Sequence, residues 1–97
     1  MDFEYDPKKS QLNLSKHGIS LEEAKKLWQV GGWDIPARII KNEQRFLRIA
    51  KLEGKFYSCV YIVRGGLVRL ISARRSREVE IKIYQERSGD EKKAEEN

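Results

Sequence analysis

Hydrophobic residues follow a helical period in the first third of this chain and a strand period after it. Asp6-Pro7 predicts a helix start, because aspartate is a preferred N-cap and proline suits the first helical position. This helix should end at about His17, since Gly18 can take the left-handed conformation common after helices. Ser20-Leu21-Glu22-Glu23 predicts a capping box. A second helix, with apolar positions at helical spacing, should therefore run up to Gly31-Gly32.

The middle of the chain has the β-branched and aromatic residues typical of strands. Four strands are predicted, over residues 37–41, 45–52, 56–64 and 67–74. Glu53-Gly54 and Gly65-Gly66 predict two-residue hairpin turns. Because such short turns join antiparallel neighbours, these strands should form a meander. Residues 3–5 also have a composition that allows a short strand.

The segment over residues 76–87 fits two periods, because its apolar positions alternate as in a strand but also share one helical face. Ser76 as N-cap, followed by Glu78 and Glu80 in the first turn, favours a helix. The last ten residues, 88–97, contain one apolar residue and predict a disordered charged tail.

These elements predict one α+β domain over residues 1–87, with two N-terminal helices, a four-stranded antiparallel meander and a C-terminal helix. The acidic N-terminus lacks the basic start and apolar middle of a signal peptide. No run approaches the roughly 18 apolar residues that a membrane span needs. The single cysteine, Cys59, lies in an apolar run and predicts a buried thiol. We therefore expect a cytoplasmic protein with no membrane partner.

Positive charge is concentrated in one stretch of the chain. The net charge is +5, and the stretch from Arg64 to Arg77 contains five arginines and no acidic residue. Guanidinium groups bind phosphate oxygens in a bidentate manner, so this stretch favours a nucleic-acid partner. The alternative is a solvated basic face without a ligand.

The side chains available for chemistry argue against metal-dependent cleavage. The sequence has one histidine, one cysteine and acids scattered mainly along predicted helix faces, whereas metal ions need convergent carboxylate, histidine or cysteine ligands. We therefore expect no metal and no cofactor. A route open to this chain on RNA is attack of the 2′-hydroxyl on its own phosphate, with a base such as His17 or a lysine and with charge stabilisation by arginine and lysine.

Lys16 and His17 stand at the end of the first predicted helix. Cations in a last helical turn also complement the helix dipole, so a capping role is the alternative to a catalytic one. Arg74 ends the last predicted strand, and Arg75 and Arg77 lie at the entrance to the last helix, whose free N–H groups attract anions. This arrangement predicts a phosphate site, and the alternative is that these arginines pair with Glu78 or Glu80.

Simple alternation along strand 67–74 would divide the arginines between the two sheet faces. It assigns Leu67, Arg69, Ile71 and Ala73 to one face and Val68, Leu70, Ser72 and Arg74 to the other. Trp33, beside the Gly31-Gly32 pair, is the aromatic ring most expected to be exposed.

Two blocks of this sequence resemble the BrnT family of type II toxin–antitoxin ribonuclease toxins. The first, F-x-Y-D-P-x-K-x-x-x-N-x-x-K-H-G-I-x-x-E-E-A, starts at Phe3 and includes Asn13, Lys16 and His17. The second, Arg69 to Arg75, is similar to the family's R-x-I-S-x-R signature at Arg69, Ile71, Ser72 and Arg74. The resemblance covers roughly residues 3–87.

The resemblance implies a small RelE-like architecture and an endoribonuclease that inhibits translation and growth. Lys16, His17 and Arg74 would be catalytic, and Arg69 and Ser72 would bind RNA. Arg75 and Arg77, which are not part of the match, are added as RNA-binding residues from their place in the basic stretch. The resemblance also implies a BrnA-like ribbon-helix-helix antitoxin, in a heterotetramer of two toxins and two antitoxins that binds promoter DNA through the antitoxin. The alternative function is a non-catalytic, basic nucleic-acid-binding or regulatory module.

Overall fold

The computed structural model of this chain describes residues 1–89, in five strands and three α-helices. In chain order the elements are β1 (Asp2–Glu4), α1 (Pro7–His17), α2 (Leu21–Ala24), β2 (Gly32–Ile40), β3 (Glu43–Leu52), β4 (Lys55–Arg64), β5 (Leu67–Arg75) and α3 (Glu78–Ser88). The α+β class and the order of its major elements are as the sequence predicts.

The five strands form one mixed sheet in the order β1-β5-β4-β3-β2. Strands β2 to β5 are the predicted antiparallel meander. The short N-terminal strand also forms, but it adds a fifth, parallel strand, with Phe3 opposite Val68. The prediction of a four-stranded, purely antiparallel sheet is therefore corrected to five strands. Tight turns select the meander locally, whereas the β1–β5 pairing joins distant parts of the chain.

Helix α1 has the predicted caps at both ends. The Asp6 side chain accepts a hydrogen bond of 2.9 Å from the Lys8 backbone N–H. Gly18, at φ 73°, takes the left-handed conformation, and its N–H bonds the Leu14 carbonyl at 2.9 Å. These short-range interactions are encoded within a few residues, so the sequence locates both ends of the helix.

The second predicted helix is shorter than expected. Its capping box between Ser20 and Glu23 is present, but the α-helix ends at Ala24 and continues as a 3-10 helix over Lys25–Trp28. The Arg48 guanidinium of β3 donates to the carbonyls of Leu27, at 2.8 Å, and Val30, at 3.0 Å. This side chain satisfies carbonyls that a helix end leaves without partners, a contact that local sequence patterns do not reveal.

The predicted hairpin turns are present, but the edge strand β2 differs from the prediction. The turns at Gly54 and Gly65-Gly66 are present, with positive φ at each glycine. A third turn at Lys41-Asn42, also with positive φ, joins β2 to β3. Strand β2 starts at Gly32 instead of residue 37 and stops before Lys41. Glycines and Pro36 are unusual in strands, so the sequence pattern gives no strand signal before residue 37. The structure accommodates them because β2 is an edge strand.

The sheet carries helices on both faces. On one face, Leu21, Ala24 and Leu27 pack against core residues of the strands. The strand members of this cluster are Ala50, Cys59, Tyr61, Val68, Leu70 and Ala73. The predicted burial of Cys59 is confirmed, and that burial raises the pKa of its thiol to about 12.

Helix α3 covers part of the opposite face, where Tyr84 packs edge-on against Phe56. The helical interpretation of this segment is confirmed, but the N-cap is Arg77 instead of Ser76. Ser88 closes the helix and Gly89 caps it at φ 81°. A disordered charged tail is predicted over residues 88–97, and of these, residues 90–97 lie outside the described residues. No helix within residues 1–89 is long and apolar enough to cross a membrane.

Candidate functional site

A β-bulge in β5 determines which way the signature residues point. Val60 and Tyr61 are adjacent in β4, but their partners Ser72 and Leu70 are two residues apart. Ile71 is therefore an extra residue in β5. An extra residue reverses the alternation of side chains along the strand beyond it. The prediction that Arg69 and Ser72 lie on opposite faces is therefore wrong.

The bulge brings Arg69, Ser72 and Arg74 to the same sheet face. Residues directly opposite each other across an antiparallel pair point to the same side, and the partners of the three residues are Ile62, Val60 and Ser58, respectively. Ser58 donates a hydrogen bond of 2.8 Å to Glu80 of α3, so this is the face on which α3 lies.

Strands β2 and β3 add further arginines beside this row. A groove of about 390 Å³ runs between the sheet and the start of α3. Its lining residues are Ala37, Arg38, Ile40, Arg45, Leu47, Val60, Arg74, Arg77 and Glu80. We name the surface formed by Arg38, Arg45, Arg69, Ser72, Arg74 and Arg77 the arginine face.

Arg74 and Glu80 form a bidentate ion pair in this groove. Arg74 Nη1 lies 2.8 Å from Glu80 Oε1, and Nη2 lies 2.9 Å from Oε2. Ser58 and the Arg77 backbone N–H, at 2.9 Å, also donate to Glu80. Burial alone would raise the pKa of the Glu80 carboxyl, but these donors outweigh it and lower the pKa to about 2. The pairing alternative therefore applies to Arg74, with Glu80 as its partner.

Other arginines of this face differ in their partners. Arg69 Nη1 lies 3.3 Å from Glu4 Oε2 of β1, and both side chains are about one-third exposed. Within residues 1–89, Arg38, Arg45 and Arg77 form no side-chain ion pair with a carboxylate. These three guanidinium groups therefore supply the uncompensated positive charge of the groove.

Lys16 and His17 lie at the exposed end of α1, and neither lines the groove. Helix α1 is attached to the sheet edge by Asn13, whose side-chain amide donates to the Ala73 carbonyl at 2.8 Å and accepts from the Ala73 N–H at 3.1 Å. Asn13 thus forms hydrogen bonds with the edge of β5 beyond the residues that pair with β1. Among the described residues, neither Lys16 nor His17 has a side-chain hydrogen bond to a member of the arginine face.

Arg75 lies on the other side of the sheet from Arg74. Its partner across the strands is Tyr57, and its guanidinium stands 5.7 Å from the centre of that ring. Trp33, predicted to be exposed, is about one-third exposed: its ring N–H donates to Ser88 at 3.0 Å and Arg87 lies over the ring.

Sequence patterns did not identify Arg38, Arg45 or Glu80 as site residues. Arg38 and Arg45 lie far along the chain from the signature, and only the pairing of β2 to β5 in one sheet brings them to it. Glu80 did have a signal, as a candidate partner of the arginines. Within residues 1–89, no three His, Cys, Asp or Glu side chains come together as metal ligands would.

The fold and this face define a small, basic α+β protein with a surface suited to a polyanion. The sequence profile described as "Ribonuclease toxin, BrnT, of type II toxin-antitoxin system" matches residues 5–80, and the chain belongs to this family. A search of curated proteins found no match. The resemblance seen in the sequence is therefore confirmed. The family consists of ribonuclease toxins of type II toxin–antitoxin systems, which pair with an antitoxin.

Proposed function

We propose that this chain is a metal-independent endoribonuclease whose substrate phosphate binds on the arginine face. The observation that carries this proposal is the β5 bulge, which places Arg69, Ser72 and Arg74 of the family signature together beside an arginine-lined groove. A row of guanidinium groups at one end of a concave surface suits the negative charge that develops on a reacting phosphate.

The proposed reaction is attack of the RNA 2′-hydroxyl oxygen on the adjacent phosphorus. A base removes the 2′-hydroxyl proton, the bond from phosphorus to the 5′-oxygen breaks, and that oxygen takes a proton. The products end in a 2′,3′-cyclic phosphate and a 5′-hydroxyl. Such proton transfers each contribute about 10²–10⁴-fold to a rate.

Arg74 can serve the phosphate although it pairs with Glu80. Its contacts with Glu80 and with the Arg75 carbonyl, at 3.3 Å, involve both terminal nitrogens. A guanidinium has five N–H groups, so Nε and one hydrogen of Nη2 have no partner among residues 1–89. Glu80 would then hold Arg74 in a fixed orientation while these donors face the substrate.

Lys16 and His17 are proposed as the proton-transfer and charge-stabilising groups because of the family motif. Their helix is attached to β5 at Ala73, the residue before Arg74. The absence of a hydrogen bond between them and the arginine face in residues 1–89 favours a second candidate, a non-catalytic nucleic-acid-binding module. Arg75 and Arg77 would contact RNA outside the scissile phosphate.

Incubation of the pure protein with RNA in EDTA tests the proposal. We expect fragments that end in 2′,3′-cyclic phosphate, with no loss of cleavage on removal of divalent ions. RNA that stays intact but binds the protein would instead support the non-catalytic module. A preparation of Arg74→Ala, purified in parallel, controls for a contaminating nuclease.

We further propose that the antitoxin is a ribbon-helix-helix protein and that the complex contains two copies of each chain. We also propose a relation to RelE-like toxins, which follows from the family resemblance and agrees with the small α+β fold. In this complex the antitoxin, which dimerises, would bind promoter DNA, and inhibition of translation would follow from RNA cleavage by the released toxin.

A further inference from the structure

The groove beside the signature residues combines charge with an apolar floor. Arg38, Arg45 and Arg77 line it without a carboxylate partner in residues 1–89. Between them lie Leu47, which is almost fully buried, and Val60, with Ile40 partly exposed at the rim. An inorganic anion needs only the arginines, whereas a nucleotide also presents the flat apolar surface of its base.

A second β-bulge, in β2, determines where Arg38 lies. Pro36 pairs with Phe46 and Ile39 with Gln44, so two residues of β2, Ala37 and Arg38, oppose a single residue of β3. The Gln44 side-chain amide donates to the Ala37 carbonyl at 3.0 Å and secures the bulge. Bulges re-aim side chains, and here the result is an arginine at the rim of the groove.

We infer that this groove binds one unstacked nucleotide of single-stranded RNA, with its phosphate on Arg38 and Arg45 and its base against Ile40 and Val60. The volume of about 390 Å³ is of the order of a single nucleotide. In a duplex the bases stack inside the helix and cannot enter such a groove, whereas unpaired bases can be splayed out. This inference rests on the proposed function and names the substrate class of the same site.

A binding assay with a cleavage-resistant RNA separates this inference from catalysis. The probe is a fluorescent single strand carrying 2′-O-methyl groups, compared by anisotropy with its duplex and with a strand containing abasic positions. We expect the single strand to bind at least about tenfold more tightly than the duplex, because only its bases can reach the apolar floor.

Two arginine variants test the phosphate contacts. Arg38→Ala and Arg45→Ala should each weaken single-strand binding about tenfold near 0.1 M salt. Each should also reduce the slope of log affinity against log salt by about 0.7, the value for one phosphate contact to a single strand. The matched control, Lys8→Ala, removes one exposed positive charge from α1, which does not line the groove, and should change affinity less than about twofold.

One apolar variant tests the base contact. Ile40→Ser should weaken binding of the intact strand about fivefold and leave binding of the abasic strand unchanged. Thermal melts confirm that each variant is folded, as expected for side chains at the surface. Equal binding of single strand and duplex, or wild-type affinity in both arginine variants, would overturn the inference.

Other results distinguish the groove from the enzyme. Cleavage of RNA at the wild-type rate by Arg38→Ala and Arg45→Ala would refute the groove and leave the proposed function standing. Specific single-strand binding without cleavage would refute the proposed function and support the groove. If polyglutamate competes as well as the single strand at equal charge, the groove is a site for acidic protein segments and the assignment to RNA fails.

Discussion

Arg74 takes part in two interactions that a single substitution cannot separate. Its guanidinium is proposed to face the scissile phosphate, and it is also the main partner of the buried Glu80 carboxylate. Removing one partner of such a pair leaves an uncompensated charge, which costs about 3–5 kcal/mol. Loss of toxicity in Arg74→Ala would therefore mix lost stability with lost function.

A double variant resolves this ambiguity. We predict that Arg74→Ala/Glu80→Gln remains folded yet loses toxicity in cells, because the phosphate loses a charge-assisted hydrogen bond worth about 1.5–3 kcal/mol in binding alone. Growth after induction measures toxicity, and a thermal melt measures folding. Glu80→Gln alone is the control. Full toxicity of the well-folded double variant would remove Arg74 from the site.

The Glu80 carboxyl should make the fold sensitive to acid. Its pKa is about 2 in the folded protein, below the ordinary value, so its ionised form stabilises the fold above about pH 4.5. That contribution, about 2–3 kcal/mol, should be lost as the pH falls from about 4.5 towards 2. Urea unfolding of wild type and Glu80→Gln at pH 6 and pH 3 measures it. A difference between the two proteins that does not shrink at pH 3 would contradict the prediction.

His17 has two roles that pH separates. As the general base, it must be neutral to accept a proton, so cleavage would fall in acid, and His17→Ala would lose that dependence. As a helix cap only, it would contribute to the melting temperature and leave specific activity unchanged. We expect the catalytic outcome, with Lys16 nearer the phosphate. An identical pH–rate profile in His17→Ala would assign His17 to the helix end.

At the scale of elements, Asn13 connects α1 to β5. Its side chain is buried and makes three hydrogen bonds, two with Ala73 and one of 2.7 Å with the Ile19 carbonyl. Replacement by aspartate keeps the shape but removes both donated bonds. We predict that Asn13→Asp destabilises the fold by about 2–4 kcal/mol, because it also buries a charge.

Chemical denaturation of Asn13→Asp, compared with Gln11→Ala on the exposed side of the same helix, tests this prediction. The control should lie within about 0.5 kcal/mol of wild type, as surface substitutions usually do. Equal stability of the two variants would show that α1 is held by other contacts. If instead Asn13→Asp is destabilised as predicted, the asparagine of the family motif has a structural role.

Features that depend on neighbouring residues could be predicted from the sequence, whereas features that depend on distant contacts could not. The caps at Asp6 and Gly18 and the turns at Gly54 and Gly65-Gly66 depend on a few neighbouring residues, and they were found. The parallel pairing of β1 and the guanidinium of Arg48 at the end of the 3-10 helix depend on contacts across the fold. No local period contains that information.

The candidate site shows the same division. The signature identified Arg69, Ser72 and Arg74, but alternation separated residues that the bulge at Ile71 brings together. An extra residue in one strand is visible only against its partner, so a single-strand pattern misses it. Arg38 was missed for a related reason, because its position depends on a second bulge, in β2.

At the scale of the whole molecule, the net positive charge and the open arginine face indicate how an antitoxin would hold the toxin inactive. Within residues 1–89, Arg38, Arg45 and Arg77 lack carboxylate partners. A protein that covered them without supplying acids would bury unpaired charge at a large cost. An antitoxin should therefore present acidic side chains to this face and compete with RNA for it.

We predict that co-expression with the neighbouring reading frame yields a complex of two toxins and two antitoxins, measured by light scattering. Arg77→Glu should weaken this complex at least about tenfold at low salt, because it places like charges opposite each other. Lys8→Glu, at an exposed position of α1 outside the arginine face, is the matched control and should assemble normally. The proposed pair would be contradicted if the product of that frame neither binds this chain nor relieves growth arrest. A measured mass of one toxin and one antitoxin would contradict the stoichiometry alone.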